Sequence, residues 1–186
     1  MATDVVRRRF DVSDYYRMAD AGILRETDRV ELIEGEILQM SPISSGHAAR
    51  NTRASKVLQR YVGEAAIVSN KHPVRLDAYS EPQPDIAMLK PRADLYEQAH
   101  PGPLDILLIL EISDTSSAFD RQVKAPMYAR AGITELWLEL ISEDCIEVYS
   151  EPANGVYRQI RQARRGESLS LKSFPQVTIP VDELLG

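Results

Sequence analysis

The stretch "LDILLILEISDT", residues 104–115, decides the fold. Five apolar residues, Ile106 to Leu110, run without a break into Glu111, and Ile112 and Ser113 follow. An apolar run this short reads as a strand buried on both faces of a sheet. Such a strand needs helices on either side of it. Its carboxylate also needs a partner, because an unpaired buried charge is costly or titrates until it is neutral. Water, a basic side chain or a metal ion could supply that compensation.

The flanking sequence provides the expected neighbours. "VSDYYRMADAGIL" opens with a candidate N-cap, Ser13, and reaches Gly22, which predicts a helix over about residues 13–20. "RVELIEGEILQMSP" alternates apolar and polar residues around Glu34-Gly35, the pattern of a hairpin. From Ser44 to Tyr61 the spacing is helical, with Ala54, Val57, Leu58 and Tyr61 on one side. "AAIVSNKHPVRLD" holds strand-like pieces, and after Pro82 and Pro84 a further strand opens on Asp85. Beyond the buried strand, "SSAFDRQVKAPMYARAG" reads as a helix ending at Gly132. "ITELWLEL", "CIEVYS" and "GVYRQIRQ" add strands, and "SFPQVTIPVDELLG" closes with an extended segment and a helical turn. The expected fold is a single α/β (α+β) domain over residues 1–186, its core spanning about 10–185. A central mixed sheet is flanked by helices, with an N-terminal helix and β-hairpin.

Composition bounds the function. The chain has 186 residues, 44% hydrophobic and 27% charged, which suits one globular domain. One cysteine, Cys145, excludes an internal disulfide framework and a cysteine-rich zinc site. The apolar runs are too short to span a membrane, and "VVRRRF" near the N-terminus leads into no signal-like segment. A cytoplasmic protein is expected. The net charge of −6 argues against nucleic-acid binding through overall charge, though not against local basic surfaces.

Three features converge on Glu111. Pro84-Asp85 sets a carboxylate at the start of a strand. Glu111 and Ser113 are two apart on the buried strand and share a face. Lys124 and Tyr128 are four apart on the next helix and share a side. Two carboxylates brought together repel unless a hard cation takes both as oxygen ligands, and magnesium suits so sparse a set because it keeps several waters.

"PD" at 84–85 with a hydrophobic strand ending "EIS" at 111–113 resembles the PD-(D/E)xK nuclease superfamily, with Ser113 where the lysine usually stands. The wider pattern is "VELIEGEILQMSP", a histidine, "PQPDIAML" and "LLILEISDTSSAFDRQVKAPMYARAGITELWL". It resembles the Uma family of restriction endonuclease-like proteins across about residues 10–185. The resemblance implies a restriction-endonuclease-like domain. It also implies a magnesium- or manganese-dependent endonuclease that hydrolyses phosphodiester bonds in nucleic acid, with DNA the expected substrate. Asp85 and Glu111 would then be metal ligands and Lys124 a lysine migrated from the strand to the next helix. Glu31 and His47 match further shared positions. Pro126 departs from a regular helix two residues after Lys124, where a kink could move the lysine.

Four basic residues, Arg50, Arg53, Lys56 and Arg60, fall in one broad stripe of the second helix and could track phosphates. "RQIRQARRGE" at 158–167 is a second basic cluster. An alternative reading keeps the nuclease fold without turnover, as a module that binds nucleic acid or a protein partner. A two-carboxylate glycoside hydrolase is a weaker one, since the aromatic residues are few and scattered. A homodimer is expected if "ITELWLEL" and the C-terminal strands leave an apolar edge.

Overall fold

The run at 106–110 does become a buried strand, and it lies in the interior of a sheet. The computed structural model describes residues 7–25, 27–114 and 116–186, so most of "VVRRRF" is described but its two valines are not. In chain order the first elements are α1 (Val12–Asp20), β1 (Val30–Ile33), β2 (Glu36–Gln39) and α2 (Ser45–Val62). Then come β3 (Ile67–Asn70), β4 (Ile86–Leu89), β5 (Ile106–Ser113), α3 (Ser117–Phe119) and α4 (Ala125–Arg130). The chain ends with β6 (Glu135–Leu140), β7 (Cys145–Ala153), β8 (Val156–Arg164), β9 (Ser168–Leu171), β10 (Phe174–Pro180) and α5 (Val181–Leu185).

The central sheet has six strands in the order β3-β4-β5-β6-β7-β8. Only β5 and β6 run parallel; every other pair is antiparallel. A parallel pair needs a crossover, and residues 114–134 with α3 and α4 supply it. Side chains alternate along β5, so its two faces feed two cores. Leu108, Leu110 and Ile112 pack with Trp137 against α2, α5 and the β9-β10 pair. Ile109 packs on the opposite face with Leu136, Leu138, Met127 and Tyr128 of α4, and Ile33 of the hairpin. Helices on both sides are what a two-faced apolar strand requires.

Local chemistry accounts for most element ends. The first helix starts earlier than expected: Asp11, not Ser13, is its N-cap, and the Asp11 carboxylate accepts from the Asp14 N–H at 2.7 Å. Ser44 caps α2 in the same way through the His47 N–H. In the hairpin, Glu34 (φ 51°) and Gly35 (φ 82°) both take the left-handed conformation that a two-residue turn demands. A Cβ at Gly35 would also stand 2.6 Å from the Arg9 Cβ.

Two expectations are corrected. The single helix over 116–132 is instead three segments, with a π-turn over Asp120–Lys124 between α3 and α4. Pro126 has no N–H to give and its ring crowds the carbonyl four residues back; the turn widens just before it, and the Ala125 N–H reaches the Asp120 carbonyl. The expected apolar edge at "ITELWLEL" does not exist, because β6 is paired on both sides. The open edges of this sheet are β3 and β8, and β8 exposes Val156 and Ile160. No helix among the described residues is long and apolar enough to cross a membrane.

Candidate active site

At the C-terminal end of β5, adjoining strands bring the two sequence-marked carboxylates together. Asp85 directly precedes β4, whose Ile86 pairs with Leu110 of β5, so Asp85 comes alongside Glu111. The Asp85 N–H donates to Glu111 Oε2 at 3.2 Å, and the Ile112 N–H donates to Asp85 Oδ2 at 2.8 Å. Asn51 of α2 pins the same turn through the Asp85 carbonyl at 2.9 Å. Both carboxylates are buried.

Each has its own cationic partner. Lys124 Nζ lies 3.1 Å from Glu111 Oε1 and 3.3 Å from Glu31 Oε1, and the Tyr128 hydroxyl donates to Glu111 Oε1 at 2.8 Å. The widened turn before Pro126 therefore carries Lys124 into the site: the expected kink delivers the lysine and does not displace it. Glu31, from the hairpin, also accepts the Gln83 N–H at 3.1 Å. On the other side, His47 Nε2 stands 2.7 Å from Asp85 Oδ1, and Lys71 Nζ bonds the same oxygen. The carboxylate acceptor makes Nε2 the protonated nitrogen of His47. All five sequence-marked residues, Asp85, Glu111, Lys124, Glu31 and His47, line one cleft of about 430 Å³ with Lys71.

The charges explain how the cluster titrates. Burial is the largest effect at Glu111 and pushes it up to about 7, against the pull of Lys124, while Asp85, Asp120 and Glu31 add repulsion. Burial opposes the charge on Lys124, but Glu111 and Glu31 outweigh it and hold the ammonium well above its usual range. Burial would raise Asp85 too; His47 and Lys71 prevail there and hold it below the usual carboxylate range. Four buried carboxylates, Glu31, Asp85, Glu111 and Asp120, thus face two lysines, Lys71 and Lys124. That surplus of hard oxygen donors suits a divalent cation held mainly by Asp85 and Glu111 and by water. Among the described residues, no three His, Cys, Asp or Glu side chains gather closely enough to hold an ion unaided.

A comparison with protein families matches residues 12–182 to one model, Uma2, described as "Putative restriction endonuclease". The chain belongs to the Uma2 family. A crystal structure titled as a "putative nuclease belonging to DUF820", from Anabaena variabilis, superposes with a TM-score of 0.75 at 18% identity, covering 95% of this chain and 97% of that one. At that identity the likeness speaks for the fold. No curated protein matches the chain.

The span matched to Uma2 contains every residue of the cluster named above, including Lys71 and Asp120, which the sequence does not mark, and Tyr128, which it marks only as a neighbour of Lys124. Lys71 sits in the irregular segment after β3, where no periodicity marks it. Asp120 takes the hydroxyls of Ser113 at 2.8 Å and Ser116 at 2.7 Å, so Ser113 supports the π-turn. Tyr128 was visible as a neighbour of Lys124 four residues on, but its bond to Glu111 was not. The basic stripe of α2 is largely engaged by the protein itself. Arg50 bonds Glu139 at 2.7 Å, Arg53 donates to the Leu185 carbonyl at 3.1 Å, and Arg60 pairs with Glu183. Lys56 is exposed.

Proposed function

We propose that this Uma2 protein is a nuclease that hydrolyses phosphodiester bonds in DNA with the help of magnesium or manganese. The observation that carries the reading is the convergence of Asp85, Glu111 and Lys124, from three separate segments, in one cleft. Family membership and the nuclease-titled structural neighbour support it. Asp85 and Glu111 would hold the ion, which when bound supplies Lewis-acid polarisation of a phosphoryl oxygen and a more acidic water. Glu111 is aligned by Tyr128 and Lys124, and Asp85 by His47 and the Ile112 N–H. Lys124 offsets the charge of Glu111 and Glu31, and its ammonium would stabilise charge developing on a phosphate held at the same ion.

Asp85→Asn and Glu111→Gln test this directly. Each is expected to lower magnesium- or manganese-dependent DNA cleavage by roughly a thousandfold or more while circular dichroism stays native. Cleavage retained in both variants overturns the assignment.

One observation favours a second reading, a nuclease fold that binds without turnover. Asp85 and Glu111 each already have an ammonium partner, so the two carboxylates an ion would need are engaged by the protein's own side chains. A site of that kind would bind magnesium no better than the Asp85→Asn/Glu111→Gln double variant.

A further inference from the structure

The two lysines of the cleft are held differently. Lys124 is enclosed, its side chain 7% exposed between Glu111 and Glu31. The Lys71 side chain is 27% exposed, with Asp85 on one side and the opening of the cleft on the other. Its position is nonetheless built into the fold. The Lys71 N–H lies 3.2 Å from the carbonyls of both Pro84 and Asp85, and its left-handed backbone (φ 53°) turns the chain out of β3 at that point. From there its ammonium bonds Asp85 Oδ1, the oxygen His47 also holds, and lies 3.4 Å from His47 Nε2.

A divalent cation approaching Asp85 meets an oxygen already in use and an ammonium of like charge beside it. Four flexible methylenes and an open side let that ammonium withdraw. We propose that Lys71 competes with the metal ion for Asp85 and, when the ion displaces it, turns to the substrate phosphate at the mouth of the cleft. This rests on the metal-dependent reading above and adds to it a residue that couples ion loading to phosphate binding. Coupling of this kind is reciprocal: whatever draws Lys71 away from Asp85 also tightens the ion.

The test is a pair of titrations on the full chain. Manganese binding is measured by calorimetry on the native protein, Lys71→Met, Lys71→Arg and Asp85→Asn/Glu111→Gln. Binding of a short duplex with hydrolysis-resistant phosphorothioate linkages is measured by fluorescence anisotropy in saturating manganese. Lys71→Met is expected to bind manganese roughly tenfold tighter, the worth of one charge-assisted hydrogen bond, and the duplex roughly tenfold more weakly. Lys71→Arg keeps the charge and should fall between. Opposite shifts are the signature, since a merely structural lysine would weaken both. If Lys71→Met leaves manganese affinity unchanged or lowered while the double variant abolishes it, the competition is overturned and the nuclease reading stands. If no protein binds manganese even with duplex present, both fall together. Native melting of Lys71→Met ensures that a weakened site is not an unfolded one.

Discussion

Glu111 and Glu139 stand on the neighbouring strands β5 and β6, both almost inaccessible to solvent, and point to opposite faces of the same sheet. Glu111 faces the cleft, with Lys124, Tyr128 and the Asp85 N–H on its two oxygens. Glu139 lies under α2, in register with Ile112 and Ile146; one oxygen takes Arg50 at 2.7 Å and the other is buried with no partner among the described residues. Burial lifts both above the usual carboxylate range. Burial and a raised pKa therefore do not distinguish the carboxylate of the cleft from the one in the interior. What separates Glu111 is convergence: Glu31, Asp85, Asp120, two lysines and a histidine line the same cleft of about 430 Å³, whereas Glu139 meets one arginine in a closed interior.

That difference is broken most forcefully at Lys124. Lys124→Met leaves Glu111 and Glu31 buried without their shared cation, and the expected loss is about 3–5 kcal/mol of stability in chemical denaturation. A second change, Glu31→Gln, should restore part of that loss, because it removes one of the two stranded charges. If Lys124→Met costs nothing, the lysine is not what compensates Glu111.

The matching change on the other face is Arg50→Met. It strands a single carboxylate, with Arg53 still close enough to pull on it, so the expected loss is smaller, about 2–3 kcal/mol. The variant also tests the basic stripe of α2. An arginine committed to Glu139 should weaken DNA binding only as far as it weakens the fold. A reduced salt dependence of binding in a well-folded Arg50→Met protein would return Arg50 to the phosphates.

The contrast between the two faces also shows which parts were legible in the sequence. β5 and the hairpin were, since a short unbroken apolar run between turn signals reads as a buried strand and Glu34-Gly35 between two apolar-polar segments reads as a two-residue turn. Asp85, Glu111 and Lys124 were marked by strand ends, by helix spacing and above all by family resemblance, and the fold brings them together. Lys71 escaped because irregular backbone leaves no period to read, and its partner Asp85 is fourteen residues on, across the β3-β4 connection. Glu139 lies within "LWLEL" and its partner is 89 residues away, a pairing that no local pattern encodes. Pro126 did signal an irregular helix. That the irregularity would be a widened turn carrying Lys124 inward depends on the packing around it.

A smaller effect separates Glu139 from Glu147, one strand further on. Glu147 is also buried, yet Arg121 grips both its oxygens at 2.9 and 3.0 Å, and Tyr149 and Gln162 donate as well. Burial raises both carboxyls, but at Glu147 these donors win and hold it low, while at Glu139 the single arginine loses. The two groups must then act on stability in opposite senses. Glu139, raised above its unfolded value near 4.5, contributes stability that is present below that pH and lost as pH climbs through the folded value. Glu147, lowered, contributes stability that is present above 4.5 and lost as pH falls through the folded value. Glu139→Gln should therefore gain on the native protein as pH rises from 4 to 8, and Glu147→Gln should fall behind. Solvent around the partly exposed Arg121 reduces the Glu147 effect. Parallel pH trends in the two variants would show that donor number is not what sets them apart.

The finest test makes Glu111 resemble Glu139 by one bond. Tyr128→Phe removes the hydroxyl at 2.8 Å from Glu111 Oε1 and leaves the ring buried against Leu136 and Leu138. Lys124 still bonds that oxygen, and Oε2 keeps the Asp85 N–H, so neither is orphaned. The expected loss is about 1 kcal/mol, the net worth of one hydrogen bond whose acceptor retains a partner. Cleavage should fall further than so small a loss of stability explains, because one of the three donors that fix the Glu111 carboxylate is gone. If stability falls by about 1 kcal/mol and cleavage is untouched, Tyr128 only packs, and the alignment of Glu111 rests on Lys124 and the backbone of Asp85.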